Sequence, residues 1–368
     1  MTGGKSTGRI ILVQPIVPAY RVPFFNRLRA HFGSSFYVYA SPCARGDGPL
    51  PDGSWEHEIG PIRTLLPGLD WQSGALSVRI DRNDVVIVSG APRCLTNVLI
   101  LLKARLAGAR TIWWGHYWSS TSRPWRARLR LRIAQLADAL MFYTEREVEA
   151  YRRRYGVRAG KPVLALNNGI ETDEIALLRA PYHAAARGGN ILFIGRLTAK
   201  AEVPLLLRAL AEPPCRDVTL HVIGAGQNAA YAHSLAETLG VDARVRWHGA
   251  MHDEARTAEV ANRCALFVYP GSVGLSLIHG LAYGLPAIVH DSPQRHMPEI
   301  AAFETGRNGA LFRKGCSRSL AQTISRVLGD ADRLAAMSAV AVEATARTHN
   351  ARDMAERFCA AVEAVVPC

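Results

Sequence analysis

A chain of 368 residues, 49% hydrophobic and 20% charged, is long enough for two domains that each bury a core. No apolar stretch reaches the ~18–20 residues a bilayer span needs; "LTNVLILLKARLAGA" is interrupted by Lys103 and Arg105. Seven scattered cysteines without a C-x-x-C argue against a disulfide framework or a zinc site and point to a reducing, cytoplasmic setting. The net charge of +13 is uneven: residues 1–180 hold 25 Lys and Arg against 14 Asp and Glu, a surplus of eleven.

In chain order, "RIILVQP" reads as a first buried strand rather than a signal peptide. "FYVYA", "DVVIVSG", "RTIWWG", "ALMFYT" and "PVLALNNG" follow, with helical patterns such as "PFFNRLRAHF" and "EREVEAYRRRYG" among them. The second half repeats the rhythm with "NILFIG", "VTLHVIG", "VRWHGA", "ALFVYP" and "PAIVHD", and ends in helices. Near-continuous apolar strands separated by helices predict parallel sheets covered on both faces. The Ala/Gly/Arg/Pro-rich stretch 177–190 breaks the rhythm. It divides the chain into an N-terminal domain (1–180), a second domain (181–345) and a C-terminal helix (346–368) expected to pack back on the first. Ligands of such sheets bind at the carboxyl ends of the strands, so motifs are sought just after them.

The stretch "ALFVYPGSVGLSLIHGLAYGLPAIVHD" (265–291) is a strand, a glycine turn, a helix and a strand. Gly271 and Gly274 allow a tight turn, and a helix from Leu275 aims its unpaired amides at the turn, an arrangement suited to phosphate. Leu275, Ile278 and Ala282 form the expected buried stripe, with Ser276, His279 and Tyr283 on another side. His279 is either a ligand-facing donor or acceptor or a half-buried residue without a role. In "ILFIGRLTAK", Arg196 and Lys200 stand at a strand mouth, as phosphate ligands or as solvated cations. Gly224, Gly226 and Ala229 match G-x-G-x-x-A, but no acidic residue closes the next strand, which weighs against a dinucleotide. Asp330 and Asp332 form a nominal D-x-D that reads as a helix cap. His116 follows a strand among Trp113, Trp114, Tyr117 and Trp118, an aromatic wall suited to sugar faces or a packed core. The segment with Trp125, Arg123, Arg126, Arg130, Leu129, Leu131, Ile133 and Leu136 fits an interfacial amphipathic helix or a buried helix with one wet side.

These residues resemble, in order and spacing, the retaining GT-B glycosyltransferases of family 4: "FIGRLTAK", "LHVIGAGQN", "VRWHGA", "FVYPGSVGLSLIHGLAYGLPAIVHD" and "PEI…GRNGALF" in the second half, and "YRVPFFNRL" and "ALNNGIE" in the first. The resemblance implies an α/β GT-B fold, two doubly wound Rossmann-like domains facing a central cleft whose closure excludes water. It also implies a UDP- or GDP-sugar as co-substrate with no cofactor or metal, and a glycan or polyprenyl-diphosphate-linked saccharide as acceptor. The setting it implies is surface polysaccharide biosynthesis, with the basic domain docked on an anionic membrane face. Arg196 matches the arginine on the donor diphosphate. The partner lysine falls at Ala201, with Lys200 one place earlier as its substitute. Gly249 and Ala250 match the backbone flanking the nucleobase, and Gly224 lines the same cleft. His116 matches the histidine near the transferred sugar. Gly271, Ser272, Val273, Gly274 and Leu275 match the loop that holds the donor. Where the family carries two glutamates, this chain has Gly271 and His279. His279 can still reach ribose hydroxyls, while Gly271 offers no carboxylate. The departure keeps a non-catalytic nucleotide-sugar binder open as an alternative. An NAD-dependent enzyme rests only on the glycine motif, and a nucleic-acid partner only on charge.

Overall fold

A computed structural model describes residues 8–42, 55–91, 93–117, 124–156 and 160–366. Trp118, Arg123, Cys43 and Cys368 lie outside the described residues. The chain forms two compact units, Met1–Asn167 with Ala351–Cys368, and Asn168–Asn350. The division thus precedes the 177–190 stretch. Hydrogen bonds tie that stretch to the second unit: Tyr182 Oη donates to the Ala265 carbonyl (2.7 Å) and Arg187 Nη1 to that of Cys264 (2.9 Å). A composition typical of linkers here covers the flank of a sheet.

The first unit contains strands β1 (Ile10–Gln14), β2 (Phe36–Ala40), β3 (Glu56–Glu58), β4 (Ile62–Leu66), β5 (Leu69–Gln72), β6 (Val85–Ser89), β7 (Arg110–Trp114), β8 (Ala139–Phe142) and β9 (Val163–Ala165). Seven of them form a parallel sheet in the order β3-β2-β1-β6-β7-β8-β9, and β4 and β5 make a separate antiparallel hairpin. Along β1, Ile10 and Leu12 enter one core and Ile11 and Val13 another, so both faces are buried. The helix Ala351–Glu363 packs on Val22–Phe32, with Phe358 edge-on to Phe24 at 5.8 Å.

The second unit contains β10 (Asn190–Ile194), β11 (Thr219–Ile223), β12 (Val245–Gly249), β13 (Leu266–Val268), β14 (Ala287–His290) and β15 (Gly309–Phe312). They form a parallel sheet in the order β12-β11-β10-β13-β14-β15. Counted within the unit this is 3-2-1-4-5-6, the doubly wound order, and the direction of winding reverses between β10 and β13. The α/β fold with two Rossmann-like sheets is therefore as the sequence implied, with β15 and the β3–β5 strands added. No helix among the described residues is long and apolar enough to cross a membrane.

Candidate functional site

The switch point of the second unit lies between the loops that follow β10 and β13, where such sheets bind ligands. The first loop carries Arg196 and Lys200, and the second runs from Tyr269 to Gly274. They are joined directly: the Ser272 amide donates to the Lys200 carbonyl at 2.9 Å. A Cβ on Gly271 would lie 2.0 Å from that same carbonyl oxygen, so only glycine lets the two loops meet. The side chains of Arg196 and Lys200 are exposed and have no hydrogen-bond or ion-pair partner among the described residues. Two cations without an acid among the described residues, beside the amide-bearing start of the helix Leu275–Ala282, form an arrangement whose chemistry suits an anion. The Arg196 charge also reaches the Tyr269 hydroxyl, drawing its pKa down against a larger upward push from burial.

The glycine loop is held from below. Val273 is fully buried, its amide donates to His296 Nδ1 at 3.3 Å, and its carbonyl accepts from Met297. Its groups are thus occupied by the protein. The Ser272 hydroxyl donates to the Arg295 carbonyl at 2.6 Å. Gly274 caps the helix, close to Met297 and to the buried carboxylate of Glu299, which accepts from Asn168. Leu275 is only half-buried; Leu277, Ile278, Leu281 and Ala282 fill the core, as does the Tyr283 ring, expected on the polar side.

At the neighbouring strand ends, the Gly224 amide donates to the Gly249 carbonyl at 2.7 Å, and Gly249 and Ala250 are exposed. Gly224 has φ +148°, and a Cβ there would lie 1.9 Å from the Gly195 oxygen, so glycine is required for the ends of β10 and β11 to meet. His279 does not stand alone. Its Nε2 lies 2.8 Å from Glu254 Oε1, and Tyr283 Oη donates to the same oxygen at 2.5 Å. Burial pushes the Glu254 carboxyl pKa up, but the hydrogen bonds from His279 and Tyr283 outweigh it and the net shift is down. Glu254 and Tyr283 were missed as a site because their contact is tertiary; the only local signal is an acidic pair, Asp253-Glu254, at a helix start.

In the first unit, His116 follows β7 and lies flat on Tyr143 at 4.1 Å, with Nδ1 at 3.9 Å from the buried Glu147. Burial, reinforced by the Arg130 charge, pushes its pKa down to about 4, so the ring is neutral near pH 7. Glu147 accepts the Tyr117 and Tyr143 amides at 3.0 Å each and fixes the turn. Trp113 and Trp114 are core residues rather than an open wall. On the helix Pro124–Ala134, Leu131 and Arg130 are buried, while Trp125, Leu129, Arg126, Arg128 and Arg132 are exposed. Asp330 caps the helix Ala331–Arg347, accepting the Arg333 amide at 3.0 Å.

Residues 188–330, spanning this switch point, match the family described as "Glycosyl transferases group 1". That stretch, most of the second unit, is the part of the chain that is similar to group 1 glycosyltransferases. No curated protein matches the sequence. Among solved structures, the chain is similar to Anabaena Alr3699/HepE, solved with UDP (TM-score 0.68, 16% identity, 97% of this chain and 99% of that one). It is also similar to the lipopolysaccharide outer core galactosyltransferase WaaB (0.65, 16%, 96% and 99%). A third, S. aureus TarM in complex with Fondaparinux, alpha-GlcNAc-glycerol and UDP, has a TM-score of 0.59 at 12% identity. That match covers 79% of this chain, which spans only 59% of TarM. At such identities the likeness establishes the GT-B fold.

Proposed function

We propose that the glycosyltransferase moves a sugar from a UDP- or GDP-linked donor to a glycan or lipid-linked glycan, with retention and without a metal ion, in building a surface polysaccharide. The observation that carries this is the pair of cations without partners among the described residues, Arg196 and Lys200, bonded through their loop to the glycine turn at the switch point. HepE, solved with UDP, and WaaB, a lipopolysaccharide galactosyltransferase, support the donor and the pathway.

In the reaction, the bond between the sugar C1 and the phosphate oxygen breaks and its electron pair stays on the nucleoside diphosphate. Arg196, Lys200 and the first-turn amides stabilise that growing charge by fixed electrostatics. The acceptor hydroxyl forms the new bond to C1 on the same face, and its proton passes to a phosphate oxygen, so no protein base is required. His116, held neutral, serves as a hydrogen-bonding group for sugar hydroxyls. The exposed Trp125 and Leu129 among arginines suit docking on anionic lipid.

The crowding at Gly271, which leaves no room for a carboxylate, favours a second reading: a protein that binds nucleotide sugar without turnover. The test is binding and slow hydrolysis of UDP-, GDP-, ADP- and TDP-sugars by the purified protein, with and without EDTA, then with a panel of acceptors. One donor consumed despite EDTA supports transfer. Binding without turnover across the panel favours the second reading, and a folded protein that binds no donor overturns both.

A further inference from the structure

The glycine turn is strapped to residues 295–297. The Ser272 hydroxyl donates to the Arg295 carbonyl at 2.6 Å, and the Met297 amide to the Val273 carbonyl at 2.9 Å. Between them, the Val273 amide donates to His296 Nδ1 at 3.3 Å. Of these three bonds, only the last ends on a group that titrates. A backbone amide can only donate, so Nδ1 is the acceptor; Nε2 then carries the hydrogen and donates to the His290 carbonyl at 3.0 Å. Both ring nitrogens are thus assigned by their partners, and the ring in this arrangement is neutral. It is 4% exposed and lies flat on the His290 ring, with centroids 3.7 Å apart.

Protonation would place a hydrogen on Nδ1 facing the Val273 N–H and set two donors against each other. Val273 is fully buried, so its amide cannot turn to water instead. The titratable and charged groups about the ring are His290 from β14 and Lys314 beyond β15; Lys314 pairs with Glu202 at 3.2 Å, and its amide donates to Asp291 at 3.1 Å. Burial, with the Lys314 charge, lowers the His296 pKa against the opposing pull of the His290 carbonyl. We infer that His296 is a positioning residue for donor binding: its unprotonated Nδ1 fixes the Val273 amide, and through it the turn that links the Lys200 carbonyl to the start of the helix Leu275–Ala282. Donor affinity then depends on one buried imidazole beneath the turn remaining neutral, and it falls as that ring takes up a proton. This rests on the nucleotide-sugar reading above and adds to it a residue outside the cation pair.

The test uses whichever of UDP-glucose, GDP-mannose, ADP-glucose and TDP-glucose binds the wild type most tightly, since none carries a phosphate that titrates between pH 5 and 7.5. Its dissociation constant is measured by calorimetry at pH 7.5 and 5.0 on the wild type, His296→Asn and His296→Phe. Asparagine brings an amide oxygen close to the place of Nδ1 and does not titrate; phenylalanine keeps the stack on His290 and offers no acceptor. At pH 7.5, His296→Asn should bind within about threefold of the wild type and His296→Phe about tenfold more weakly, the loss of one buried hydrogen bond. Between pH 7.5 and 5.0 the wild type should lose about threefold more affinity than His296→Asn. A merely structural role would lower melting temperatures without separating those two pH profiles, and the profiles alone decide should His296→Phe fail to fold. Undiminished binding by a folded His296→Phe, or the same pH profile in the wild type and His296→Asn, would overturn the positioning role and leave the nucleotide-sugar reading intact. A folded wild type that binds none of the four donors would overturn that reading, and this role with it.

Discussion

Replacing Gly271 with alanine tests how firmly the two ligand loops are locked together. The added Cβ would lie 2.0 Å from the Lys200 oxygen, 2.7 Å from the Ala201 carbonyl carbon and 2.8 Å from its oxygen. All three are backbone atoms, so no side chain can swing away; the Lys200–Ala201 segment must retreat by more than about 1 Å to reach ordinary contact. That retreat breaks the 2.9 Å bond from the Ser272 amide to the Lys200 carbonyl. Overpacking of this kind costs about 1–3 kcal/mol and the lost hydrogen bond about 1 kcal/mol, so roughly 2–4 kcal/mol in all. For a unit of this size each kcal/mol moves the melting temperature by about 2–4 °C, which gives a fall of about 5–15 °C. Differential scanning calorimetry reads it directly. Gly271→Glu should destabilise at least as much and should not raise donor hydrolysis, because its side chain enters through the same blocked position. A Gly271→Ala protein that melts within about 1 °C of the wild type would show that the two loops are not locked at this position.

Three further outcomes are expected. Burial, with the charges of His296 and Lys314, pushes the His290 pKa down to about 4, so the folded protein keeps this ring neutral where the unfolded chain protonates it. Stability is therefore fully present above about pH 6.5 and is lost as pH falls toward 4, by up to about 3 kcal/mol from this residue. Urea midpoints at pH 7.5 and 4.5 should show the fall, and it should be shallower in His290→Asn; equal falls in both would contradict the assignment. Trp125→Glu with Leu129→Glu should reduce sedimentation with vesicles containing phosphatidylglycerol severalfold while leaving hydrolysis of soluble donor unchanged, and undiminished binding would count against docking through that helix. Asp330→Ala should cost about 0.5–2 kcal/mol in thermal unfolding through loss of the cap, with donor hydrolysis unaltered; a loss of activity without loss of stability would speak for a ligand role instead.

How much was legible in the sequence follows from where the signals are local. β1, β6, β7, β10 and β13 announce themselves because both faces are buried, which leaves polar residues only at strand ends such as Gln14, Ser89, Arg110-Thr111 and Asn190. β3 reads Glu-His-Glu and pairs on one side only, at a sheet edge, and β4, Ile-Arg-Thr-Leu-Leu, is exposed throughout and shows no apolar–polar alternation. β15 escapes because Gly309, Ala310 and a half-exposed Leu311 dilute its pattern. The division between units was misplaced because composition does not distinguish a loose linker from a segment pinned by Tyr182 and Arg187. Arg196, Lys200 and the glycine turn could be found because each directly follows a strand, and the doubly wound order brings those strand ends side by side. The Glu254–His279–Tyr283 cluster could not, since it joins helices 25 residues apart through tertiary contacts that no local pattern announces. Tyr283 shows why periodicity misleads there: its ring is core, and only its hydroxyl belongs to the polar cluster.

In the proposed chemistry, the switch point of the second unit holds a nucleoside diphosphate through Arg196 and Lys200. Calorimetric titration of UDP and GDP into the wild type and into Arg196→Ala with Lys200→Ala tests this. Neither side chain has a partner within the protein among the described residues, so the double variant should keep the wild-type melting temperature. Loss of two charge-assisted contacts should weaken binding of the preferred nucleotide by roughly 100-fold or more. Wild-type protein that binds neither nucleotide, or a folded double variant that binds as tightly as the wild type, would contradict the account.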